Sequence, residues 1–337
     1  MATTREPDAA AAGLRDSLGR RIDYARISLT DRCNFRCIYC MPPEGRPFIP
    51  HENIVTYEEL LRLAHVLASL GVARYKITGG EPLVRKGAAS FIAALARMPG
   101  VSEVSLTSNG SLVENELDAL AAGGLRAINF SCDAFGDKAF HRVTRTAHGV
   151  SGILRAMAGA AGRGLRVKIN MVPLEGYNGA DIVPLARFAL ERGHHIRFIE
   201  LMPVGSGRSL RAIPPKDVRA ALERTFGFLR PVNGENRNGP ARMYAVGGYS
   251  GQIGFISAMS DRFCATCNRV RLTSTGFLKT CLCHGHGVDL KTAMAKGADD
   301  AELRRLILEA VATKPAGHTF SFAPRPEEPF FMHAVGG

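Results

Sequence analysis

Arg26–Cys40 reads RISLTDRCNFRCIYC, a strand-like run followed at once by Cys33, Cys37 and Cys40 in a C-x3-C-x2-C spacing. Three thiolates packed this closely can hold three corners of an iron–sulfur cubane and leave the fourth iron without a protein ligand. Ordinary ferredoxin clusters are closed by four cysteines and only pass electrons. An open iron can bind a substrate or cofactor and do chemistry, as open catalytic metal sites differ from closed structural ones. A zinc knuckle or a disulfide pair is the alternative; zinc wants a fourth ligand, and His51 is the only local candidate.

Outward from this stretch, short β-like runs alternate with helical ones. The strand candidates are Tyr24–Leu29, Arg74–Thr78, Glu103–Thr107, Ala127–Ser131, Arg166–Val172 and His195–Leu201. Between them, a helix opens at Thr56 with Glu59 three residues on, a capping box, and stops at Gly71. Further helices are expected over about Ala88–Arg97, Glu114–Ala122, Gly152–Gly162 and Asp181–Arg192. Six β-then-α units imply an α/β fold with a parallel sheet and right-handed crossovers, an incomplete (βα)6 TIM-like barrel where eight units would complete an ordinary one.

Buried parallel strands normally read as near-continuous apolar runs. Here one face of several strands is polar: Arg26, Ser28 and Thr30; Ser105, Thr107 and Asn109; Asn129, Ser131 and Asp133; Lys168 and Asn170. The alternate face, including Ile27, Leu29, Val104, Leu106, Ile128, Phe130, Val167, Ile169 and Met171, is apolar. With the apolar face against the helices, the polar face lines the lumen. Unpaired buried polar groups cost several kcal/mol, so a wet or ligand-filled lumen is expected.

Residues 1–21 are expected to form a disordered extension, too acidic and too weakly apolar for a secretory signal or transit peptide. Residues 22–230 are expected to form the partial barrel. After residue 230 the texture changes: Asn233–Pro240 reads as a loop, followed by short β-like runs at Met243–Val246, Ile253–Ile256 and Val270–Thr273 and a helix at Asp300–Ala312. Residues 231–337 are therefore expected to form a small C-terminal α+β extension packed on the barrel.

The second cysteine group, Cys264, Cys267, Cys281 and Cys283, has the spacing C-x2-C-x13-C-x-C. It reads either as a zinc ribbon, which would suit a nucleic-acid-binding module, or as three cluster ligands with a spare thiol. Arg269 and Arg271 follow on one face of a strand-like run, two forked cations suited to phosphate. The cysteines cluster at metal-ligand spacings, so a reducing, cytoplasmic setting is expected. The 43 Lys and Arg against 31 Asp and Glu give a formal charge of +12, which suggests an anionic partner. With few aromatics, no Trp and no long basic block, nucleic acid is disfavoured. No apolar run reaches the roughly 18 residues that cross a bilayer, so no membrane partner is expected.

The C-x3-C-x2-C run with Tyr39 before its last cysteine, followed by KITGGEP at Lys76–Pro82, resembles the signature of radical S-adenosylmethionine (SAM) enzymes. The runs LTSNG (from Leu106), INFSCD (from Ile128), VKINMV (from Val167), RFIELMPVG (from Arg197), FCATCNRVRLTSTG (from Phe263) and the terminal Gly336–Gly337 resemble one family within it. That family is the GTP 3′,8-cyclases, which open molybdenum cofactor synthesis. The resemblance covers about residue 24 to the C-terminus. It implies two [4Fe–4S] clusters, one on Cys33, Cys37 and Cys40 with SAM, and a second on Cys264, Cys267 and Cys281 whose open iron takes the guanine ring. It implies SAM contacts at Tyr39, Gly80, Ser131 and Met202, and GTP contacts at Arg26, Lys76, Thr107, Lys168 and Arg269–Val270–Arg271. Arg26, Lys168 and the Gly336–Gly337 tail would take part in the cyclisation.

The implied reaction converts GTP to (8S)-3′,8-cyclo-7,8-dihydroguanosine 5′-triphosphate after a 5′-deoxyadenosyl radical takes the ribose H3′. The implied partners are a flavodoxin or ferredoxin as electron donor and cyclic pyranopterin monophosphate synthase as the recipient of product, with the chain a monomer or homodimer. Lys76 stands where many members carry Arg, and Cys132 and Cys283 are additional thiols. Among enzymes the alternative is a radical SAM peptide-modifying enzyme with an auxiliary cluster, whose mark would be more cysteines in the C-terminal half.

Overall fold

A computed structural model describes residues 13–232, 239–323 and Met332. Strands β1 (Tyr24–Ser28), β2 (Arg74–Thr78), β3 (Glu103–Ser108), β4 (Ala127–Ser131), β5 (Arg166–Met171) and β6 (His195–Ile199) pair in parallel in chain order. Helices α1 (Tyr57–Ser69), α2 (Ala88–Ala96), α3 (Val113–Ala122), α4 (Asp137–Thr144), α5 (Val150–Gly162), α6 (Ile182–Glu191) and α7 (Pro215–Phe226) connect and cover them. The six-unit parallel architecture is as the alternation predicts. The capping box at α1 forms in both directions: the Glu59 amide donates to Thr56 Oγ1 at 3.1 Å, and the Thr56 amide donates to Glu59 Oε2 at 2.7 Å. Behind it Leu60, Leu63, Ala64 and Leu67 are buried at helical spacing, one stripe against the sheet.

Three helices were not legible in the sequence: α4, α7 and a six-residue helix at Leu290–Ala295 with only Leu290 buried. The α4 run DKAFHRVT is short and polar on most of its surface, and α7 has only Val218 and Leu222 buried. None presents the wide apolar stripe that marks a helix in sequence.

The C-terminal region does not stand apart as a separate layer. Its strands β7 (Arg230–Pro231), β8 (Arg242–Ala245), β9 (Gln252–Ile256), β10 (Arg269–Leu272), β11 (Phe277–Lys279) and β12 (Gly287–Asp289) extend the same sheet at both edges, in the order β12-β11-β10-β1-β2-β3-β4-β5-β6-β9-β8-β7. Strand β10 pairs in parallel with β1, and β9 in parallel with β6. Helices α8 (Leu290–Ala295) and α9 (Asp300–Ala312) close this end.

The expected disordered extension over residues 1–21 needs correction. Residues 1–12 lie outside the described part, but from Gly13 onward the chain is packed: Leu14 and Ile22 are buried, and Arg15 and Arg21 form an antiparallel bridge. The apolar payload of this stretch is small, but it seats against α1, where the Leu14 amide donates to the Leu70 carbonyl at 2.8 Å.

The two strand faces separate as expected. Ile27, Leu29, Ile77, Val104, Leu106, Ile128, Phe130, Val167, Ile169 and Met171 join one core with the helices. On the other face, register aligns polar residues in rows across the sheet: Arg271–Arg26–Lys76–Ser105, then Thr107–Asn129–Lys168–His195, then Ser131–Asn170–Arg197.

Candidate active site between two cysteine groups

The parallel pairing of β1 with β10 decides where the chemistry sits. Cys33, Cys37 and Cys40 follow the C-terminal end of β1. Cys264 and Cys267 precede the N-terminal end of β10, whose Arg269 lies level with Tyr24, the first residue of β1. The two groups therefore stand at opposite ends of one strand pair, which at about 3.3 Å per residue spans roughly 16 Å. The row Arg271–Arg26–Lys76 lies between them.

At the first end, the loop carrying the cysteines is held from three sides. Gly80 and Glu81 amides donate to the Thr30 and Arg32 carbonyls at 2.7 and 2.8 Å. A Cβ built on Gly80 would lie 2.3 Å from the Arg32 carbonyl oxygen, and one on Gly79 would lie 2.7 Å from that of Thr30. Close approach of the loop backbone thus demands both glycines of the GGE run. On another side, the Arg36 and Ile38 amides donate to the Thr144 and Val143 carbonyls, each at 2.9 Å. Those carbonyls end α4, where helix geometry leaves them without intrahelical partners. Asn109 Nδ2 and the Phe35 amide both approach Cys33 Sγ, at 3.9 and 3.4 Å.

Burial pushes the Cys33 thiol up to about 11. It raises Cys37 well above the ordinary thiol range, with Asp133 and the neighbouring cysteines adding to the effect. Tyr39 hydroxyl donates to Asp133 Oδ2 at 2.7 Å, and the Val172 amide donates to Oδ1 at 2.8 Å; burial lifts the Asp133 carboxyl to about 6. Glu81 accepts from the Asn109 and Leu83 amides and Ser108 Oγ, while burial raises it to about 7. Ser131 ends β4, half-buried and level with Asn170, just before the turn to Asp133. Met202 is held by close packing, because a Cβ on Gly207 would come within 2.7 Å of its carbonyl oxygen and 3.6 Å of that of Tyr39. The expected SAM contacts Tyr39, Gly80, Ser131 and Met202 therefore lie at or just beyond the C-terminal ends of the strands, at this one end.

At the second end, the hairpin of β10 and β11 explains the thirteen-residue gap. The register Arg271–Lys279 and Leu272–Leu278 runs antiparallel, so Cys281, two residues beyond Lys279, returns level with the start of β10. Burial alone would raise the Cys267 thiol, but Arg269 and Lys314 outweigh it and bring Cys267 to about 7. Lys314 and Arg271 each feel both Cys267 and Cys281. Cys283 has different company: its sulfur accepts from the Thr319 amide at 3.3 Å and lies 3.6 Å from Thr319 Oγ1.

Between the two ends the lumen is cationic. Lys76 is buried, and burial, then Arg197, Arg26 and Lys168, lowers its pKa well below the usual lysine range. Burial, then Arg197 and Arg166, brings Lys168 down to about 8. Arg26 is likewise lowered by burial. Thr107 accepts from Asn129 Nδ2 at 3.4 Å. Val270 is buried on the opposite face, so its side chain is core, with Arg269 and Arg271 on the site face. Arg197 was not assigned a role from sequence. It is buried, its Nε donates to Asn170 Oδ1 at 3.0 Å, and burial, then Arg26, lowers it to about 10. The signal lay in strand parity, since Arg197 shares the phase of His195 in HIRFI. Gly336 and Gly337 lie outside the described residues.

Among the described residues, no three His, Cys, Asp or Glu side chains converge on a single metal ion. Two triplets of soft thiol donors, one held in a loop packed from several sides and one flanked by cations, fit iron–sulfur clusters, because cluster binding supplies the positive charge that ionises ligating thiols.

Comparison with known proteins agrees. The radical SAM superfamily matches residues 27–189, and the Molybdenum Cofactor Synthesis C family matches residues 194–320. The GTP 3′,8-cyclase of Clostridium perfringens is 38% identical over 324 residues, covering 96% of this chain and all of the relative. That of Pelotomaculum thermopropionicum is 39% identical over 309 residues, covering 90% and 95%. Among solved structures, Streptococcus suis SuiB with bound S-adenosylmethionine superposes with a TM-score of 0.61 over 87% of this chain and 68% of SuiB, at 13% identity, a likeness of fold alone. Sequence, fold and the disposition of the thiols agree, and the chain belongs to the GTP 3′,8-cyclase family of the radical SAM superfamily.

Proposed function

We propose that the two ends of the lumen divide the cyclisation of GTP between them. Cys33, Cys37 and Cys40 hold the cluster that takes SAM, and Cys264, Cys267 and Cys281 hold the second cluster. When bound, the first cluster and SAM would supply the 5′-deoxyadenosyl radical that takes H3′ from the ribose as 5′-deoxyadenosine; closure of the C3′–C8 bond then takes one further electron, from the electron donor, and a proton to give the 7,8-dihydro product.

The chain's own part is to bind, orient and exclude water. Arg26, Lys76, Lys168, Arg197, Arg269 and Arg271 receive the triphosphate; their mutual repulsion when the site is empty is relieved by its charge. Thr107 and Asn129 add neutral contacts. Gly80, Ser131, Met202 and the Tyr39–Asp133 pair shape the SAM end. Cys281 rather than Cys283 completes the second triplet, supported by its shared electrostatic neighbours with Cys267. The observation that carries this reading is the placement of buried cations between two thiol triplets on one strand pair.

A flavodoxin or ferredoxin supplies electrons, and cyclic pyranopterin monophosphate synthase takes the product. The chain works in the cytoplasm as a monomer or homodimer, without nucleic acid or membrane; among the described residues no helix is long and apolar enough to cross a membrane.

Anaerobic incubation of cluster-loaded protein with SAM, a reductant and GTP tests the reading. Formation of both 5′-deoxyadenosine and a cyclised GTP is expected, and Cys37→Ala should abolish both while halving the iron. Retention of 5′-deoxyadenosine formation in Cys37→Ala would overturn the assignment of the first site.

A further inference from the structure

Arg20 lies outside both thiol triplets and outside the lumen, yet it is buried and all five of its N–H donors are used. Its Nε donates to Asp16 Oδ2 at 2.5 Å. Nη1 donates to the carbonyls of Cys264 at 2.9 Å and Ala316 at 3.2 Å, and Nη2 to those of Pro315 at 2.8 Å and Lys314 at 3.2 Å. Asp16 is itself fully buried, and its Oδ1 accepts the Leu18 and Arg20 amides at 3.0 and 2.9 Å.

The segment that Arg20 grips crosses the second thiol group. Lys314 Nζ donates to the Arg269 carbonyl at 2.9 Å and to that of Thr280. His284 Nε2 pairs with the Gly317 carbonyl at 3.1 Å, and His318 Nε2 with that of Ala258 at 2.7 Å. A Cβ on Gly317 would sit 3.8 Å from Cys264 Sγ, so this segment covers that thiol.

We propose that Arg20, braced by Asp16, is a positioning residue for the second triplet: it pins Cys264 and the Lys314–Ala316 backbone together and so sets the wall and ligand of that site. This rests on the second triplet holding a cluster. The residues gripped are more than 240 positions away in the chain, and without the guanidinium four of their carbonyls lose a partner at once. Groups that orient metal ligands in this way typically carry about ten- to a hundredfold in metal affinity or activity.

Arg20→Lys is the test, because it keeps the charge opposite Asp16 but cannot span five acceptors. In full-length protein whose first triplet is replaced (Cys33→Ser, Cys37→Ser, Cys40→Ser), iron release to a chelator from the second site should quicken about tenfold or more, and the paramagnetic resonance signal of the reduced second cluster should change. In the otherwise intact enzyme, SAM cleavage should persist while cyclised GTP per 5′-deoxyadenosine falls. Asp16→Asn should show the same pattern in smaller degree, and decides the matter if Arg20→Lys does not accumulate.

Wild-type iron release, an unchanged resonance signal and an unchanged product ratio overturn the proposal. So does parallel iron loss from both sites with a lowered unfolding temperature, which marks Arg20 as holding the fold alone. Wild-type protein that binds iron at the second site but forms no cyclised GTP sinks the substrate reading and leaves the chelation result to decide this one. Absence of iron at the second site in wild type sinks both.

Discussion

Lys168→Met separates the cost of the lumen's charge from its use. The substitution keeps an aliphatic stem of similar length and removes the ammonium. Burial, then Arg197 and Arg166, lowers Lys168 from 10.5 to about 8. That drop corresponds to at most about 3 kcal/mol, and screening at a partly exposed side chain brings it to about 1–2 kcal/mol. At pH 7 the charged lysine destabilises the ligand-free fold by this amount, so the variant should be the more stable protein, by roughly 1.5–3 °C in unfolding temperature for a chain of this size.

The pH dependence follows from the same shift. Between about pH 8 and 10.5 the unfolded state binds more protons than the folded one at this site, so wild-type stability rises across that window. The variant's advantage is therefore full below about pH 8 and vanishes towards 10.5. Binding of a triphosphate favours the protonated lysine, so wild-type GTP affinity falls as pH rises through about 8, with proton uptake on binding. The variant loses a charged hydrogen bond and about 1–3 kcal/mol of GTP binding, roughly 5- to 150-fold. Thermal unfolding across pH in cluster-loaded protein, with calorimetry of GTP binding in two buffers, reads all of this. A variant that is less stable at pH 7 and binds GTP normally would refute the argument and make Lys168 a lysine that merely reaches solvent at the rim.

Three further outcomes are expected. Gly80→Ala places a Cβ against the Arg32 carbonyl oxygen, and relief by backbone movement should cost about 1–3 kcal/mol and reduce iron at the first site, read by unfolding temperature and iron content. Cys283→Ser should retain full iron and cyclisation, whereas Cys281→Ser should lose one cluster; the reverse result would overturn the choice of Cys281 as the third ligand. Deleting Gly336 and Gly337 should leave both clusters and SAM cleavage in place and sharply reduce cyclised GTP, and normal product formation would remove the tail from the mechanism.

What was readable in the sequence was local. The C-x3-C-x2-C run, the capping box at Thr56 and the period-two alternation of Val167, Lys168, Ile169 and Asn170 each express a short-range geometric constraint, and strand and helix limits fell within about two residues of those expected. The polar lumen face was legible for the same reason, since alternation commits every second side chain to one face.

Only tertiary pairing decided how these parts meet. Nothing near Arg269 signals that its strand lies beside Tyr24 and thereby puts the two thiol groups at opposite ends of one lumen. Arg197 became a lumen cation through the register of β6 against β5, and the GGE glycines proved to be spacers for the chain's own loop backbone. Arg20 had no sequence signal, because its acceptors are main-chain carbonyls, which every residue carries alike. Periodicity and spacing record what a residue does with its near neighbours, whereas hydrogen bonds across hundreds of residues leave no pattern until the chain has folded.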